Sequence, residues 1–272
     1  MDTSAPARGL ESCRRTGTLR RGRRAEVAFA CSLTNPLERR LAQIGQKTSR
    51  KLIDAFGFTM PPASGPESET PPSTAIVKGL ITGSPRTVHR MSATVLAALT
   101  GNGQKPVQLP RLVTHFDQNH TNGQNSVNGS STDRLIPNKI IRPAARARLK
   151  AFLSAPLCYQ YKGRKHGTLK SLSDWCAKRR RNVRLHFAKT GTHVNEDADA
   201  TVDAWVSGGI QFTDGRAYAY VVLVGTGNTN KPFARRLHAS DIAAPLVRVL
   251  LNDLAKERSA PAQTTISRIS IQ

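Results

Sequence analysis

The last third of the chain switches from helical spacing to a strand-like period of two, in three runs at 184–194, 202–212 and 217–224, the third of them apolar or aromatic throughout. Successive side chains of a strand point to opposite faces, so this period predicts three β-strands. Between the second and third runs stands Thr213-Asp214-Gly215-Arg216, a turn of hairpin length with Asp-Gly at its centre. Strands joined by so short a turn pair antiparallel. An antiparallel sheet is therefore the fixed point of the fold, and the rest of the chain must cover it.

The preceding residues switch to helical spacing. Val27, Phe29, Leu33, Leu37, Leu41 and Ile44 recur as on one helix face, with Gly45 as its stop. A short helix is predicted over 48–56, an amphipathic one over 86–100 ending at Gly101-Asn102-Gly103, a basic one over 141–154, and another over 169–178. After the strands, Asp241 reads as the N-cap of a last helix carrying Ile242, Leu246, Val249, Leu250 and Leu254. Residues 59–74 read as a loop and 117–135 as a polar insertion with nothing to bury. Residues 1–24 form a basic arm and 258–272 a tail, which leaves one folded domain over 25–257. Helices first and antiparallel strands after give an α+β, mixed α/β class.

Charge narrows the partners. The chain has 41 Lys+Arg against 18 Asp+Glu, a net charge of +23, which favours anionic surfaces: nucleic acid, an anionic membrane face or an anionic wall polymer. The basic runs, such as Lys178-Arg179-Arg180-Arg181, are not accompanied by a helix-turn-helix, zinc-finger or RNA-binding pattern, nor by interleaved aromatics. Nucleic-acid binding without catalysis is thus the alternative to the reading below. Cys13, Cys31, Cys158 and Cys176 are far apart with no Cys-x-x-Cys, and the expectation from this spacing rules out a disulfide framework and a zinc ribbon. The seven histidines lack metal-ligand spacing, and no cofactor is expected. No run approaches a membrane span, and the N-terminus lacks the apolar core of a signal peptide.

The segment with chemistry is Lys189-Thr190-Gly191-Thr192, followed by Asp203-Ala204-Trp205-Val206 and the hairpin. On an exposed strand, the lysine ammonium attracts a substrate carboxylate and the threonine hydroxyls hydrogen-bond it. The glycine removes a side chain, so that an extended substrate can pair with the strand.

These residues resemble the transpeptidase domain of penicillin-binding proteins, in particular the bifunctional class A type, whose motifs are Ser-x-x-Lys, Ser-x-Asn and Lys-Thr-Gly. Ala30-Cys31-Ser32-Leu33-Thr34-Asn35-Pro36 looks like the second motif. Residues 78–103 look like the family's stretch ending in Asn-Gly-Gly. Gly167-Thr168-Leu169 looks like the Gly-Thr-Ala before Lys-Thr-Gly, and 239–245 like the entry to the C-terminal helix. The resemblance implies a transpeptidase-like antiparallel sheet with flanking helices, incomplete here. It implies recognition of a peptidoglycan stem peptide ending in D-Ala-D-Ala, or of a β-lactam. The implied reaction is acyl transfer through a serine acyl-enzyme, at the periplasmic face of the inner membrane.

It also implies roles. Ser32 matches the serine that relays a proton and Lys189 the lysine of the third motif; Thr34, Asn35, Thr190, Gly191 and Thr192 fall at substrate-binding positions. Two departures stand out. No serine has lysine three residues later, and only about thirty residues precede Ser32, so no family nucleophile is found. The second motif has Thr34 where asparagine is expected, with Asn35 one place on. The chain is therefore expected not to carry out the family's reaction alone, and to reside in the cytoplasm if it is made as given. Read singly, Ser32 also suits an N-cap for a helix beginning near Pro36, Lys189 a solvated strand residue, and Trp205 a packing residue.

Overall fold

The computed structural model describes residues 24–60, 70–77, 80–101, 142–161, 163–195, 197–226 and 231–257. The arm at 1–23, the insertion at 117–135 and the tail at 258–272 lie outside them.

The three long strands are β3 (Val183–Asn195), β4 (Ala200–Phe212) and β5 (Ala217–Gly225), numbered after a small hairpin of β1 (Gln160–Tyr161) and β2 (Arg164–Lys165). They pair consecutively and antiparallel in the order β3-β4-β5, with Lys189 opposite Ser207 and Gly191 opposite Trp205. The observed bounds lie within two residues of those read from the period. Asp214 closes the turn between β4 and β5 by accepting from the Arg216 backbone N–H at 3.0 Å.

Both faces of the sheet are covered, giving a helical layer on either side. One face carries Ala188, Val206, Ile210, Phe212 and Tyr220. It packs against Leu172 and Trp175 of a 3₁₀ helix (Lys170–Trp175) and against Ala243, Ala244, Val247 and Leu251 of the last helix. The other face carries Leu185 and Phe187, which meet Leu96 and Leu99 of an earlier helix. The helices in chain order are α1 (Arg24–Ala30), α2 (Thr34–Ala42), α3 (Gln46–Phe56), α4 (Pro72–Val77), α5 (Pro85–Thr100), α6 (Pro143–Cys158) and α7 (Ala239–Lys256).

Several boundaries differ from the sequence reading, each for a local reason. The single helix expected from Val27 to Ile44 is broken into α1 and α2, because the chain turns at Cys31-Ser32-Leu33 with Ser32 at φ 53°. Ser84, not a residue of the apolar pattern, starts α5: its hydroxyl accepts from the Thr87 N–H at 3.2 Å, with Pro85 at the first helical position. The expected loop at 59–74 ends in α4, which starts at Pro72. The helix over 141–154 runs on to Cys158 through Pro156, while the helix over 169–178 shortens to the 3₁₀ turn. Asp241 is not the cap of α7: His238 holds that position, and the Asp241 N–H donates to the His238 carbonyl at 2.8 Å. Asp241 instead sits in the first turn, where its charge suits the positive helix end.

The expectation against disulfides is overturned. Cys158, at the end of α6, is bonded to Cys176, just after the 3₁₀ helix, with Cα atoms 5.4 Å apart. Cys31 is disulfide-bonded too. Wide spacing in sequence hid the pairing, because α6 and the 3₁₀ helix come together only through Leu157, Leu172 and Trp175 in one core cluster.

Candidate functional site

The site lies where the α1–α2 turn meets the middle of β3. Alternation along β3 puts Leu185, Phe187, Lys189 and Gly191 on the face toward α5, and Thr190 and Thr192 on the face toward α7. β3 is an edge strand whose only partner among the described residues is β4.

Anchoring of α1 positions Ser32. Val27, Ala30 and Cys31 are buried with Ala155 and Tyr159, from α6 and the residue after it. Phe29 stacks on Phe152 of α6, ring centroids 4.5 Å apart, and the Thr168 N–H donates to the Ala30 carbonyl at 2.9 Å. The chain then reverses: the Cys31, Ser32 and Leu33 N–H groups donate back to the Val27, Phe29 and Ala28 carbonyls. A left-handed φ at a serine costs on the order of 1–3 kcal/mol, so the surrounding packing holds the turn in place.

Across this junction the Lys189 Nζ donates to Ser32 Oγ at 2.5 Å and to the Thr190 carbonyl at 3.1 Å. It also lies 5.8 Å from the centre of the Phe29 ring. Burial pushes the Lys189 ammonium down to about 8, and no carboxylate counters the shift. The site is a partly desolvated cation held by neutral oxygens. Such a group gains from an incoming anion, and near neutral pH it also has an appreciable neutral fraction able to take a proton.

The structure brings Ser32 and Lys189 together, although 157 positions separate them. The others fare differently. Thr190 joins through its backbone carbonyl. Thr192 is turned to α7, where its hydroxyl accepts from the Ala239 N–H at 3.4 Å. Thr34 and Asn35 open α2, two and three residues beyond Ser32. Gly191 corrects the reasoning that singled it out. A Cβ there would lie 1.4 Å from Trp205 Nε1, so the glycine makes room for the partly exposed indole across the strand pair. The bare backbone face is occupied on that side, and on its outer edge β3 pairs with no strand among the described residues, its His186 and Thr190 carbonyls accepting from Ser154 and Lys189. Ser32 is not the N-cap of α2, which begins at Thr34.

Sequence reasoning missed a buried polar chain behind the site. His186 is fully buried between the Trp175 carbonyl (3.0 Å from Nδ1) and the Tyr220 hydroxyl (2.7 Å from Nε2), and its own carbonyl accepts from Ser154 Oγ at 2.7 Å. A carbonyl only accepts, so Nδ1 carries the proton and Nε2 accepts from Tyr220. The signal available was a histidine inside an apolar strand run.

The 178–181 run is partly committed to the fold. The Arg180 guanidinium covers the Trp175 ring at 3.4 Å, and Arg179 donates to the Ser173 carbonyl at 3.2 Å. Among the described residues no helix is long and apolar enough to cross a membrane. No protein-family model, curated protein or solved structure matches the chain.

Proposed function

We propose that this chain carries the second- and third-motif half of a penicillin-binding, D,D-transpeptidase-type site, built on a partial transpeptidase-like fold. Its role is to recognise the terminal carboxylate of a peptidoglycan stem peptide or a β-lactam. The observation that carries this reading is the Lys189–Ser32 hydrogen bond. The resemblance pairs these two residues in one site, and they meet despite their separation in sequence. The outer edge of β3, which pairs with no strand among the described residues, supports an extended peptide lying alongside it by strand addition. The Ser-x-x-Lys nucleophile has no counterpart here, so the chain does not crosslink peptides by the family's route alone. The Cys158–Cys176 bond favours an oxidising compartment, in keeping with the periplasmic face of the membrane.

The test is calorimetric titration with a diacetyl-Lys-D-Ala-D-Ala peptide. Binding is expected to weaken with salt, to disappear in Lys189→Met, and to fall as pH rises through about 8, where the ammonium loses its proton. No heat of binding at millimolar peptide refutes the reading. Salt-sensitive retention on DNA, lost when the 178–181 run is neutralised and accompanied by no peptide binding, points to nucleic acid instead.

A further inference from the structure

We infer that Ser32 and Lys189 act together as nucleophile and general base, so that an activated ester or peptidyl ester transfers its acyl group to Ser32 Oγ. The inference goes beyond the carboxylate-recognition role and takes from it only the direction of approach along β3.

Geometry carries the argument. The Ser32 hydroxyl is at hydrogen-bond distance from Lys189 Nζ, the contact a serine nucleophile needs with its base. Serine–lysine pairs of this kind are an established variant of the serine–histidine arrangement. Ser32 stands on a sharp left-handed turn immediately before a helix of nine residues. The first N–H groups of α2 have no acceptor within the helix, and they lie two and three residues beyond Ser32. N–H groups without a helical acceptor are the kind of donor that stabilises charge developing on a carbonyl oxygen during attack. Ser32 and Lys189 each keep part of their surface exposed.

The step balances as follows. Neutral Lys189 Nζ takes the Ser32 hydroxyl proton as Oγ bonds to the carbonyl carbon. The tetrahedral intermediate collapses, the bond to the leaving alkoxide breaks, and the Lys189 ammonium returns its proton to that alkoxide. Water, deprotonated by Lys189 in a second round, releases the acid and restores Ser32. Burial favours the neutral amine needed for the first step. Near pH 7 it is roughly a tenth of the population, against about 0.03% for an ordinary lysine.

The experiment is labelling of the full chain with a fluorophosphonate, which loses fluoride as the serine oxygen bonds to phosphorus, followed by mass-spectrometric mapping. Label on Ser32 is expected, with a rate that rises through pH 8, opposite in sign to the binding of the carboxylate peptide. Lys189→Arg keeps the cation but cannot serve as a base near neutral pH, and the rate is expected to fall about 100-fold or more. Its melting curve shows whether the fold is intact, and Ser32→Ala abolishes the label. Absence of label on Ser32, or a folded Lys189→Arg protein labelling at the wild-type rate, overturns the inference. The two readings fail separately: protein that binds the peptide but resists labelling refutes the nucleophile alone, and labelled protein that ignores the peptide refutes recognition alone.

Discussion

Lowering the pH from 7 to 5 is expected to weaken the fold through His186. Its imidazole is fully buried, and burial drives it from the ordinary 6.5 to about 4, despite the opposing pull of the Trp175 carbonyl and the Asp174 charge. The folded value lies below the unfolded one, so the unfolded chain takes up the proton first. The contribution is whole above 6.5, shrinks as the pH falls, and levels off below about 4. Linkage between those two values gives a loss of about 2 kcal/mol from pH 7 to pH 5, and about 3 kcal/mol by pH 4. Domains of this kind are stable by about 5–15 kcal/mol, so the change is large enough to read. The assay is urea unfolding of the wild type and His186→Gln at both pH values and constant ionic strength. The variant is less stable throughout, but its own pH dependence lacks the His186 part, while carboxylates and His89 act in both proteins and cancel. Equal pH dependence in the two proteins refutes the burial argument.

Three further outcomes follow from the same geometry. Gly191→Ala sets a methyl against the Trp205 indole and is expected to cost about 1–3 kcal/mol, with a shift in tryptophan emission; Trp205→Ala in the same chain should recover most of the loss. Removing the Cys158–Cys176 bond, which spans 18 positions, by the double substitution Cys158→Ser and Cys176→Ser is expected to cost about 3 kcal/mol, read as a lower urea midpoint than the wild type without reductant. Asp174→Ala breaks the fork in which Arg248 holds Asp174, yet both side chains are over 40% exposed, so the change is expected to stay within about 1 kcal/mol.

The strands were legible because helical spacing gives way to strand-like runs, and the Asp-Gly turn fixed the pairing of the second with the third. The helices were legible in place more than in number or extent. Ser32 interrupts an apolar pattern that continues on both sides of it, so periodicity alone runs α1 and α2 together. The break comes from the burial of Ala30 and Cys31 against α6, a tertiary contact. Among the site residues, Lys189 and Ser32 were found through the resemblance, since nothing in spacing links them. Gly191 was found for an incomplete reason, because the position of the indole depends on cross-strand register. The Cys158–Cys176 pair was invisible because it depends on how α6 lies over the 3₁₀ turn.

The distance between Ser32 and Lys189 along the chain also bears on when the pair can exist. Closing a loop of 157 positions costs about 4–5 kcal/mol of chain entropy, and a charge-assisted hydrogen bond returns only about 1.5–3. The pair therefore cannot draw its two segments together. That work falls to α6, which packs on α1 on one side and on β3 on the other. During synthesis the hydroxyl must wait for α6 to seat and for β3 to emerge and pair. A chain halted before residue 189 would carry a finished turn at Ser32 with nothing opposite it, so the Ser32–Lys189 contact is among the last things folding produces.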